Sequence, residues 1–138
     1  MMKRLLLSLI LLVLLIPGKA QEFIGLPEKT VKAVMAKDFP GLTPDNMVRN
    51  NIYRYLKYHS ADDNETWLIF LDEKGRCTGV RITYSNNLYD AKIRELNEKY
   101  GNESKGTWSY RTGKDLITVK VQRDAWFFTV THVGLYHM

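Results

Sequence analysis

The first twenty residues set the conditions under which the rest of the chain must fold. Lys3 and Arg4 precede an apolar run over residues 5–16, broken only by Ser8. Pro17-Gly18 ends that run, and Gly18-Lys19-Ala20 places small residues ahead of Gln21. A charged leader, a short hydrophobic segment and a small-residue cleavage site form the pattern of a secretory signal peptide. The run is short for a hydrocarbon layer about 30 Å thick. The expectation is an exported protein, periplasmic or secreted, cleaved after Ala20, with no membrane span once residues 1–20 are removed. Residues 21–138 then form one domain of 118 residues, enough for a single modest core, with 134–138 as a frayed tail.

Export permits disulfides, yet Cys77 is the only cysteine, so no internal bridge is available and the fold must rest on packing. The net charge of +5 shrinks once Lys3, Arg4 and Lys19 leave with the signal: 17 basic residues then face 15 acidic ones. Cations alternate with acids along most segments. A nucleic-acid surface needs clustered cations to neutralise phosphates, and none is visible, so no nucleic-acid partner is expected.

Residues 21–26 read as a short lead-in. Pro27 suits the first position of a helix, and Val31, Val34, Met35 and Phe39 recur at helical spacing before Pro40-Gly41 stops it. Residues 41–50 read as a loop. Three strands follow, over 52–59, 67–71 and 78–84. The second and third are joined by Asp72-Glu73-Lys74-Gly75, a turn ending in glycine. Asn86 or Asn87 is placed to cap a second helix whose apolar stripe is Tyr89, Ile93, Leu96 and Tyr100, with Gly101 at its end. Three more strands are expected over 107–112, 116–122 and 125–133, with Arg123-Asp124 at the last hairpin tip.

The resulting order is helix, three strands, helix, three strands. It predicts an α+β fold of two α-β-β-β units: a mostly antiparallel six-stranded sheet with both helices on one face and the other face partly exposed. The Leu26-Pro27 opening, the helix ending in Phe39-Pro40 and the hairpin at Phe70-Leu71-Asp72-Glu73-Lys74-Gly75 resemble small exported PepSY-like and beta-lactamase-inhibitor-protein-like modules. They also resemble exported proteins of Bacteroides-type bacteria. The resemblance implies a non-enzymatic domain that binds or inhibits a protein; no functional residue of those families maps onto a specific position here.

No constellation for catalysis stands out, and no catalytic residue, metal or cofactor is assigned. His59 and Cys77 are an imidazole and a thiol on strands, but nothing brings them together. His132 and His137 lack a third metal ligand nearby. Asp62-Asp63-Asn64-Glu65 lacks the alternate spacing and glycine of a calcium loop and reads as a solvated hairpin turn. There is no glycine-rich phosphate loop, nucleophile elbow or zinc helix.

The functional lead is aromatic. Tyr53 and Tyr55 point the same way on one strand, with Arg54 between them, and form the candidate binding residues. Trp67, Trp108 and Trp126 are assigned to the core. The leading expectation is an exported interaction module for a protein or peptide. A small-molecule or glycan binder and a small envelope enzyme using Cys77 are the alternatives.

Overall fold

A computed structural model describes residues 23–45, 54–101, 104–112 and 115–135; the expected signal peptide lies outside them. Among these residues the fold is α+β, with two helices and a seven-stranded antiparallel sheet. In chain order the elements are α1 (Glu28–Asp38), β1 (Leu42–Asp45), β2 (Arg54–Ser60), β3 (Glu65–Leu71) and β4 (Cys77–Ser85). A 3₁₀ turn (Asn86–Leu88) then leads into α2 (Tyr89–Tyr100), β5 (Thr107–Thr112), β6 (Asp115–Arg123) and β7 (Phe127–Leu135). Across the sheet the order is β1-β2-β3-β4-β7-β6-β5, so two meanders meet where β4 pairs with β7.

The extra strand is β1. It falls in the segment expected to be a loop because of Pro44 and Asp45. Leu42 pairs with Ser60 and Asp45 with Lys57, at the outer edge of β2. An edge strand hydrogen-bonds on one side only, so proline's missing N–H is tolerated there. Six strands therefore become seven, and the halves are no longer equivalent.

α1 begins at Glu28, one residue later than expected, with Pro27 as its N-cap. Glu28 in its first turn and Lys37 in its last complement the helix dipole. α2 ends as expected on Gly101, whose φ of 90° is open to glycine at little cost and whose N–H closes onto the Asn97 carbonyl at 2.9 Å. Asn86 does not cap α2. Its amide donates instead to the carbonyls of Asp124 and Ala125, both at 3.0 Å, and ties the α2 entrance to the β6–β7 hairpin.

The core lies between the helices and one face of the sheet. Strand alternation puts Trp67, Ile69, Val80, Ile82, Tyr84, Val119, Phe128 and Val130 on that face. α1 reaches it through Phe39, whose ring lies 4.8 Å from that of Trp67. α2 reaches it through Tyr89 on Phe128 at 5.3 Å and Tyr100 on Tyr110 at 4.6 Å. Both helices therefore cover the same face. Val31, Met35 and Leu96 are the buried residues of the two stripes. Each fully buried apolar side chain contributes roughly 1.5–3 kcal/mol.

Phe23, assigned to a lead-in, is fully buried against Phe39 and Trp67. Two backbone bonds of 2.8 Å between residues 25–26 and Cys77 lash this segment to the start of β4. β7 also continues through Gly134 and Leu135, which were expected to fray.

Candidate functional site

Alternation that sends Phe128, Val130 and His132 into the core sends Phe127, Thr129, Thr131 and Val133 to the opposite side of β7. On β4 the same rule exposes Arg81 and Thr83, and on β6 Thr118, Lys120 and Gln122. Both helices lie on the other side. This open face holds a shallow groove of about 470 Å³, whose lining includes Arg81, Thr118, Lys120, Phe127, Thr131 and Val133.

Register fixes its geometry. Arg81 and Lys120 both sit opposite Thr131, on the strands to either side of β7. Phe127 marks one end, 41% exposed, next to Trp126, which is 86% exposed. Trp126 is thus not a core residue. The chain turns at Asp124–Phe127, closed by the Asp124 N–H donating to the Phe127 carbonyl at 2.8 Å. Residues 125 and 126 form the tip in place of Arg123-Asp124. A side chain on a hairpin tip has no strand beside it to pack against.

Toward β2 the groove continues into an aromatic run. The Arg81 guanidinium lies 5.5 Å over the Phe70 ring, and Phe70 meets Tyr55 edge-on at 6.4 Å. Of the expected binding residues, Tyr55 therefore stands on the open face, half-buried against Phe70. Arg54 points to the helix side, where its guanidinium is 3.9 Å from Glu28. Tyr53 lies outside the described residues. Arg81, Lys120 and the threonines were legible only as the wet positions of alternating strands. Nothing in their local pattern says that β4, β7 and β6 lie side by side.

The other candidates are dispersed. Cys77 is fully buried, its thiol directed at the Gly79 carbonyl at 3.5 Å, and burial pushes it up to about 11. His59 sits opposite Thr66 on the open face, at the far end of the sheet from Cys77. The two cannot act as a thiol–base pair in this arrangement. Asp62 is spent within its hairpin: it accepts from Ser60 Oγ at 2.6 Å and from the Asn64 side chain at 3.0 Å. These bonds, the Ser60 one foremost, hold its carboxyl below the usual range.

His132 is buried beside the Tyr100 and Tyr110 rings, at 6.5 and 6.3 Å. Burial, and then the charge of Lys99, pulls its imidazole down to about 4. His137 lies outside the described residues. Among the described residues no group of three His, Cys, Asp or Glu side chains is placed to hold a metal ion, and no helix is long and apolar enough to cross a membrane.

Comparison with protein-family models, curated proteins and solved structures returns no match.

Proposed function

We propose that this is an exported, non-enzymatic interaction module that takes a protein or peptide partner on the open face of its sheet. The observation that carries the reading is a grooved sheet face with both helices on its opposite side, lined at one end by exposed Phe127, next in the chain to exposed Trp126. Large exposed rings add contact area at low entropic cost. The Tyr55–Phe70–Arg81 run extends the surface toward β2 and keeps Tyr55 in the proposal as its flank. The resemblance to PepSY-like and inhibitor-like exported modules points the same way.

The test is capture from an envelope extract by the immobilised protein, against Thr131→Arg, which fills the groove, and Tyr53→Ala/Tyr55→Ala. A specific partner is expected to be lost with Thr131→Arg and weakened by the tyrosine pair. Unchanged capture by Thr131→Arg removes the open face from consideration.

Trp126 favours a second reading, a glycan binder. An indole exposed on a hairpin tip, beside a groove lined by hydroxyl- and amide-bearing side chains such as Thr129 and Gln122, suits a sugar ring. Saturable quenching of tryptophan fluorescence by an oligosaccharide, absent in Trp126→Ala, would support it. Unaltered fluorescence across an oligosaccharide panel would remove it.

A further inference from the structure

We infer that the partner of the open face is an acidic peptide segment, its carboxylates received by Arg81 and Lys120 over Thr131 and its apolar side chains by Phe127 and Trp126. The inference rests on the docking reading above and supplies the chemistry of the partner.

Arg81 and Lys120 belong to strands on either side of β7 and share the level of Thr131. Neighbouring strands lie about 4.8 Å apart, so the two backbones are about 10 Å apart. The Arg81 guanidinium rests 5.5 Å over the Phe70 ring, toward β3; swung back toward β7, it and the Lys120 amine reach the space over the threonine hydroxyl. Two cations and a hydroxyl donor make a receptor for one carboxylate.

Among the described residues neither charge has an ion-pair partner. The ion pairs among the described residues engage Lys32, Arg54, Lys57 and Lys92, not Arg81 or Lys120. Asp45, on β1, is 3.9 Å from the Lys57 amine. Asp124 also lines the groove, but at its hairpin end beside Phe127. Four residues of extended strand separate that end from Thr131, about 13 Å and beyond the screening length of roughly 8 Å in physiological salt. The middle of the groove is therefore electropositive, with apolar rings at its end.

This mixture decides between kinds of anion. A sulfated polysaccharide or nucleic acid engages many cations at a regular repeat. Here one cationic pair is flanked by Phe127, next in the chain to exposed Trp126, on one side and by Val133 and the Phe70 ring on the other. Alternating charged and apolar subsites on a strand surface match the alternating side chains of an extended peptide.

The experiment is selection of a displayed random-peptide library on the purified protein, followed by fluorescence anisotropy with the enriched peptides. Arg81→Gln, Lys120→Gln and Thr131→Arg are compared with the parent, each checked for an unchanged thermal midpoint. Enriched peptides should carry Asp or Glu beside an apolar residue. Each glutamine variant should weaken binding about fivefold, and added salt should weaken it further. Enrichment of neutral or basic peptides that Thr131→Arg still abolishes overturns the acidic partner and leaves the docking face standing. Peptide binding indifferent to Thr131→Arg, Arg81→Gln and Lys120→Gln alike, or no enrichment at all, overturns both. Heparin binding that depends on Arg81 and Lys120, with no peptide enriched, overturns the peptide in favour of a polyanion.

Discussion

Along β7, Phe128 is fully buried and its neighbour Phe127 is 41% exposed; Val130 is buried and Val133 is 43% exposed. The two faces of the sheet are made by the same strands and differ in what lies over them. On one, two helices bring Met35, Leu96, Tyr89 and Tyr100 down onto Trp67, Phe128 and Tyr110. On the other, the strands present threonines, Arg81, Lys120 and a few rings around a groove. Burial is thus a property of the face rather than of the residue type. Binding capacity belongs to the face that the core does not consume.

The sharpest way to break this contrast is to truncate one ring on each side. Phe128→Ala removes a side chain held between Tyr84 and Tyr89, both ring centroids at 5.3 Å, and should cost about 3–5 kcal/mol in urea unfolding. Phe127→Ala should cost less than about 1 kcal/mol. Comparable losses would mean that the open face is also part of the core.

On mild acidification the covered face should respond first. Above pH 6.5 the His132 imidazole is neutral in both folded and unfolded chains. As pH falls, the unfolded chain takes up a proton that the buried ring refuses until about pH 4. Stability should therefore fall across that interval by about 3 kcal/mol and level off below it. Unfolding midpoints between pH 7 and 4.5, where carboxylates contribute least, give the slope, and His132→Phe should flatten it. An unchanged slope would place the titrating group elsewhere.

The seam between the meanders is also tightly set. A Cβ on Gly79 would stand 2.9 Å from the His132 carbonyl, so Gly79→Ala should force β4 and β7 apart at a cost of about 1–3 kcal/mol, seen in thermal melts. The smallest effect concerns the hairpin that carries Trp126. Asn86→Ala deletes two bonds to its turn and should cost about 1 kcal/mol. Faster hydrogen exchange at the Asp124 amide would accompany it. Trp126→Ala itself should leave the midpoint in place while altering whatever binding is found.

Much of the architecture was legible before folding. Val31 and Met35, and later Leu96, sit at helical spacing because a stripe must meet a core. The alternation in β4 and β6 marks one wet face for the same reason. Residues 107–112 form β5 with the boundaries that Trp108 and Tyr110 suggest. The misses have a common cause. Pro44 and Asp45 argue against a strand unless the strand is an edge. Trp126 argues for the core unless it rides a hairpin tip. Phe23 looks like a leader until β4 is seen to hold its neighbours. Each depends on what lies alongside, which no window of adjacent residues contains.

Local chemistry alone determined that the chain has amphipathic helices and two-sided strands, because side-chain direction follows from backbone period. Tertiary structure decided which side is closed. Helices joined by short connections fold back over one surface of the sheet. Antiparallel pairing of β4 with β7 and β6 then draws Arg81, Thr131 and Lys120, distant in the chain, into one row on the surface left bare.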